Sequence, residues 1–101
     1  VKAREWYEKA AAQGHASAQF SLGVLYADGY GVRQDYVKAR EWYEKAAAQG
    51  NANAQFVLGA MYYRGEGVRQ DYVKAREWFG KACDNGEQRG CDWYRDLNNR
   101  R

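Results

Sequence analysis

The fourteen residues at positions 37–50, VKAREWYEKAAAQG, occur three times in the chain. Residues 1–14 are the same fourteen letters, and residues 73–86 read VKAREWFGKACDNG, so the copies start 36 residues apart. A fixed period of this length means stacked units, none of which can bury its apolar face alone. Pro, Thr and Ile are absent while Ala, Glu, Lys, Arg and Gln are plentiful, which makes the units helical. The net charge of +3 comes from acids and bases interleaved along the chain. That is a solvated surface, not the one-sign patch of a nucleic-acid binder.

The repeated segment predicts a helix over 1–13, with Ala3, Trp6, Tyr7, Ala10 and Ala11 at i, i+3, i+4, i+7, i+8. This is one apolar face, and the charged residues fill the other side. Gly14 supplies the left-handed position that ends it. The same reading gives helices over 35–49 and 71–84, with Asp35 and Asp71 as their N-caps. Between them lie helices over 16–28 and 52–64, whose inward stripes are Ala18, Leu22, Leu25, Tyr26 and Ala54, Leu58, Met61, Tyr62. Gly23 and Gly59 sit inside these helices, where a glycine costs about 1 kcal/mol unless a neighbouring helix approaches closely. Residues 87–97 stand where a further unit would begin, but they have diverged, as a solenoid end with a wettable face would. The polar stretch 98–101 is expected to fray. The fold class is therefore all-α: an α/α right-handed superhelix of antiparallel helix pairs with a 36-residue repeat. Its parts are 1–14 (second helix of a truncated repeat), 15–50, 51–86 and a capping helix over 87–101. The chain opens in mid-repeat, without the Asp-Tyr that precedes the later copies, and reads as a piece of a longer protein.

Leu58-Gly59, Tyr62, Gly65-x-Gly67-Val68, Asp71, Lys74-Ala75, Trp78 and Lys81-Ala82 recur at fixed spacing as Leu22-Gly23, Tyr26, Gly29-x-Gly31-Val32, Asp35, Lys38-Ala39, Trp42 and Lys45-Ala46. This pattern resembles the Sel-one-like repeat, a relative of the tetratricopeptide repeat. The resemblance implies a non-enzymatic solenoid whose first helices line a concave face, in a family of adaptors for complex assembly, signalling and host interaction.

The two full copies differ most along one stripe of the shorter helix: Ser17/Asn53, Ser21/Val57, Val24/Ala60 and Asp28/Arg64, with Ala27/Tyr63 beside its end. A packing face held constant next to a varying face points to a groove that contacts a ligand. The candidate residues are Ser21, Val24, Asp28, Val57, Ala60, Tyr63 and Arg64. The alternative is drift on ordinary solvent-facing positions. The implied partner is a protein or peptide, with no nucleic acid, no membrane insertion and no cofactor. The open first helix offers a surface for self-association.

Cys83 and Cys91 lie on either side of the turn at Gly86, in slots that are Ala and Gln at the other junctions. That placement brings them within bridging range, and the C-x7-C spacing looks like that of the cysteine-rich, secreted bacterial branch of the family. A disulfide clamping the terminal helix is expected, and with it a periplasmic or secreted location. Two free thiols in a cytoplasmic protein are the alternative. A zinc site is not expected, because the lone His15 lies at the far end. The repeated aromatic set Trp6, Trp42, Trp78 with Tyr7, Tyr43, Phe79 is read as core. The charges on the same helices are read as solvated i, i+4 pairs such as Glu41–Lys45. No catalytic residue is expected: neither Ser17 nor Ser21 begins an S-x-x-K motif, and His15 is read as a turn residue. Two other functions stay open: β-lactam binding or slow hydrolysis, as in some cysteine-rich relatives, and a structural spacer.

Overall fold

The computed structural model describes residues 2–99, with side chains described from Arg4 onward. Six helices follow in order: α1 Lys2–Ala12, α2 Ala16–Asp28, α3 Tyr36–Ala48, α4 Ala52–Arg64, α5 Tyr72–Asp84 and α6 Gln88–Asn99. No strand occurs among the described residues. Each helix packs chiefly on its sequence neighbours, and the molecule measures 46 × 24 × 16 Å. The stack is a short helical solenoid.

The local signals set the helix ends. Asp35 and Asp71 each accept a hydrogen bond from the backbone N–H of Lys38 and Lys74, at 3.1 Å. Asn51 caps α4 in the same way, through the N–H of Ala54 at 2.8 Å. His15 stands at the N-cap of α2 but makes no side-chain capping bond. Gly29 and Gly65 close α2 and α4 with φ of 74° and 75°, a left-handed conformation that side-chain-bearing residues resist. Gln34 and Gln70 then tie each following loop back to its helix, donating to the carbonyls of Ala27 and Tyr63 at 2.7 and 2.8 Å.

Packing within a pair depends on two buried helix glycines, one in α2 and one in α4. A Cβ on Gly23 would lie 2.5 Å from the Tyr43 ring, and one on Gly59 would lie 2.6 Å from the Phe79 ring. Each glycine is a notch that admits an aromatic ring of the next helix. Burial, with Asp28 nearby, pushes the Tyr43 phenol above its ordinary range, so the ring remains neutral. Around these notches the core consists of Ala39, Ala46, Ala47, Ala54, Leu58 and Met61 in the middle, and Ala11, Ala18 and Leu22 towards α1.

Polar side chains register one unit on the next. Gln19 Nε2 donates to the Ala11 carbonyl at 3.2 Å, and Gln55 Nε2 to the Ala47 carbonyl at 3.1 Å. Gln19 Oε1 accepts from Gln49 Nε2 at 2.7 Å, and Gln55 Oε1 from Asn85 Nδ2 at 2.9 Å. Both glutamines are buried, and a buried amide left unpaired would cost about 1–3 kcal/mol. Arg40 Nε reaches the Gly67 carbonyl at 3.0 Å, joining α3 to the loop of the next unit.

Three sequence expectations are corrected. Trp6 is 65% exposed rather than core: Trp42 and Trp78 pack on the preceding helices, and no described element precedes α1. Ala3, the first position of that face, lies outside the described side chains. Lys45 does not pair with Glu41; its Nζ lies 4.6 Å over the Trp42 ring, and the i, i+4 ion pair of α3 is Arg40–Glu44 at 3.2 Å. The last helix continues to Asn99, with Arg76 Nη1 donating to Asn98 Oδ1 at 3.3 Å; residues 100 and 101 lie outside the described residues.

Alanine usually stabilises a helix by about 1 kcal/mol relative to glycine. At Gly59 the sign reverses. Gly59→Ala drives a methyl group into the Phe79 ring and is expected to lower unfolding stability by about 1–3 kcal/mol, read from the urea midpoint.

Candidate functional site

The 36-residue register aligns α2, α4 and α6 side chain by side chain. Ser17, Asn53 and Arg89 share one position and are all exposed. Ser21, Val57 and Trp93 share the next and are half-buried. Val24 and Ala60 are half-buried, with exposed Asp96 at the third place, and Asp28 and Arg64 are exposed at the fourth. Spacing of i, i+4, i+7, i+11 keeps each set on one side of its helix. Val24 and Val57 also pack against the central core, so they are shared between surface and interior.

The surface changes character along the stack. At α2 it is small and acidic: Ser17, Ser21, Asp28. At α4 and α6 it is aromatic and carries Arg64 and Arg89, with Asp96 beside them. Tyr63 packs on Tyr72 and on Trp93, each with ring centroids 5.2 Å apart. Trp93 stacks on Phe79 at 5.6 Å, and Phe79 meets Phe56 at 5.5 Å. The Arg89 guanidinium lies 4.4 Å over the Phe56 ring, a cation–π contact. Its Nε donates to Glu87 Oε1 at 2.9 Å. Hydrogen bonds from Arg89 hold the Glu87 carboxyl below its ordinary range. The seven residues named from the sequence fall on or beside this surface. Arg89 and Trp93 were missed, although adding 36 to Asn53 and Val57 reaches them; the divergence of α6 hid the register.

Cys83 and Cys91 form a disulfide with Cα atoms 4.6 Å apart. They occupy the slots of Ala47 and Gln55, eight residues apart, as do Ala11 and Gln19. At two junctions a glutamine side chain bonds a carbonyl; at the third a covalent bridge takes its place. Among the described residues no group of three His, Cys, Asp or Glu side chains converges as a metal site. No described helix is long and apolar enough to cross a membrane.

Stacked antiparallel helix pairs that repeat one surface along their length define a helical-repeat scaffold. The chain belongs to the Sel1 repeat family, whose model matches residues 1–15, 16–51 and 52–87. Sel1 repeat scaffolds serve protein–protein interaction and are in general non-enzymatic. A Sel1 repeat protein from Oxalobacter formigenes is similar at 40% identity and a TM-score of 0.83, over 86% of this chain and 36% of that one. A protective antigen of uropathogenic Escherichia coli with an SLR fold is 43% identical at a TM-score of 0.85, over 87% of this chain and 19% of that one. Helicobacter pylori cysteine rich protein B is 29% identical at a TM-score of 0.85, over 88% of this chain and 67% of that one. The chain thus spans about a third and a fifth of the first two proteins. No curated protein matches it.

Two outcomes follow at the α6 end. Replacing both Cys83 and Cys91 by Ala should lower unfolding stability by about 2–3 kcal/mol, the cross-link entropy of so short a loop, read from the urea midpoint. The depressed Glu87 carboxyl contributes stability above its unfolded pKa, lost as pH falls through the lower folded value. Its carboxyl carbon, followed by NMR, should therefore titrate below the ordinary glutamate range, and Arg89→Ala should raise it.

Proposed function

We propose that this domain binds an extended peptide segment of a protein partner in the concave groove formed by α2, α4 and α6. The observation that carries the reading is the graded surface just described. Its 36-residue register runs from Ser21 and Asp28 through Val57, Ala60 and Arg64 to Tyr63 and Trp93, while the packing positions beneath it stay constant between copies. The grading suits a ligand with apolar or acidic residues at its α6 end, where arginine and aromatic side chains gather, and basic or small polar residues at its α2 end. Solenoids use such extended faces for partners of this kind. The domain boundaries at 1–14, 15–50, 51–86 and 87–101 belong to the same reading: the second helix of a truncated unit, two full units and a capping helix.

The disulfide supports an oxidising compartment, the bacterial periplasm or exterior. So do two similar proteins, a protective antigen and a cysteine rich protein.

Peptide display against the intact domain tests the reading. A consensus should emerge whose binding falls at least about tenfold, roughly 1.4 kcal/mol, in Arg64→Glu and in Ser21→Tyr, both at unchanged melting temperature. Equal binding by both variants would place the ligand elsewhere.

A further inference from the structure

Among the described residues seven large apolar side chains are exposed, and four of them lie along one edge of the stack: Tyr36, Val37, Tyr72 and Val73. They are the opening residues of α3 and α5. The two pairs belong to one strip. Gly67 of the second loop lies against the Tyr36 backbone, where an added Cβ would meet the Tyr36 carbonyl oxygen at 2.6 Å. Arg40 Nε fixes that loop by donating to the Gly67 carbonyl at 3.0 Å, and the same loop then leads into Tyr72 and Val73. Tyr36 and Val37 sit in the middle of the stack, with helices packed before and after them, and are still 39% and 48% exposed. Their exposure is a property of the repeat and owes nothing to either end. Tyr72 and Val73 repeat it at 55% and 58%. The rings are held in place: Gln34 Nε2 donates to the Tyr36 hydroxyl at 3.4 Å, and Gln70 Nε2 to the Tyr72 hydroxyl at 3.2 Å. Single exposed apolar residues are ordinary. A contiguous set that is repeated and held by hydrogen bonds marks an interaction surface.

The exposed charge along the strip has one sign. Within 30–38 and 66–74 the exposed charged residues are Arg33, Lys38, Arg69 and Lys74. The carboxylates of the same segments are half-buried: Asp35 and Asp71, which cap α3 and α5, and Glu66. Exposed Asp28 precedes the strip, and Glu41 and Glu77 lie a turn beyond it. Lys38 and Lys74 rest over the Tyr26 and Tyr62 rings at 5.5 and 5.6 Å, which positions their charge without cancelling it. From this charge and these apolar pairs we infer that the edge docks a segment of a partner protein in which aspartate or glutamate alternates with apolar residues. The carboxylates pair with Arg33 and Arg69, and the apolar side chains cover Tyr36, Val37, Tyr72 and Val73. A nucleic acid supplies the anions but no apolar side chain for the two valines. A lipid surface takes up side chains that are free to insert, whereas these tyrosines are tied to the loops by their hydroxyls. A second copy meeting this strip with its own brings like charges together, which is repulsive. The strip touches the concave groove where Tyr63 packs on Tyr72, but the inference does not rest on that groove.

The test selects binders of the intact domain from a displayed library of random dodecapeptides, after depletion on the Arg33→Glu/Arg69→Glu variant. The retained peptides are expected to combine Asp or Glu with Leu, Ile, Val or Phe. A synthetic peptide of that consensus should shift the methyl signals of Val37 and Val73 saturably in NMR spectra of the domain. Its binding should fall at least about tenfold in Arg33→Glu/Arg69→Glu and, separately, in Val37→Ser/Val73→Ser. These side chains are exposed, so both variants should keep the parental melting temperature. Ser21→Tyr, which obstructs the concave groove, should bind the peptide unchanged, and this separates the edge from the groove. No enrichment after depletion would overturn the inference. So would a consensus lacking either acidic or apolar residues, or unchanged binding by Val37→Ser/Val73→Ser. Sedimentation of the domain with phosphatidylglycerol vesicles, lost in Arg33→Glu/Arg69→Glu, would assign the edge to a membrane and overturn it. Concentration-dependent dimerisation lost in the same variant would assign the edge to a second copy and overturn it as well.

Discussion

The structure depends on a ring seated in a notch. Tyr43 fills the space that a side chain on Gly23 would take, and Phe79 does the same at Gly59. A glycine inside a helix is a local loss, recovered here by the close approach it permits. Much else follows from that approach. With α2 drawn onto α3, Gln19 reaches both the Ala11 carbonyl and Gln49. With α4 drawn onto α5, Gln55 reaches Ala47 and Asn85. The small residues Ala39, Ala46, Ala54 and Ala75 are fully buried around the notches because nothing larger fits.

The third junction obeys the same geometry with different chemistry. Gly90 lies under α5, where an added Cβ would meet the Phe79 carbonyl at 2.7 Å. Gly90 is the sole buried residue of α6, so burial alone holds this helix weakly. The disulfide in the slot of the glutamine–carbonyl bond, the Trp93 stack and the Arg89–Phe56 contact make up the difference. Where the other junctions rely on apolar burial and amide bonds, this one relies on a covalent staple and aromatic rings.

Most of the fold was legible in the sequence, because its determinants are local and repeated. Asp35 and Asp71 cap, Gly29 and Gly65 stop, and the apolar period is 3.6 residues; each acts within a turn or two of itself. Legibility failed where a side chain answers to a different element. Trp6 has the same letters around it as Trp42, yet what buries a tryptophan here is the preceding helix pair. Lys45 prefers the Trp42 ring to Glu41, and Glu44 is taken by Arg40. On the candidate surface, the α2 and α4 residues were visible as differences between two copies. Arg89 and Trp93 were not, since in α6 the surrounding pattern had changed.

The sequence by itself determined the repeat, the helices, their caps and the positions of the notch glycines. These properties are periodic or confined to neighbouring residues, and the chain carries three copies to compare. Tertiary structure decided which aromatic rings are core and which are surface. It also decided that a disulfide stands in for a glutamine, and that α6 keeps Gln88, Asp92, Arg95 and Asp96 exposed. Those outcomes depend on which helix lies beside which, and identical fourteen-residue segments meet different neighbours at the start and in the middle of the stack.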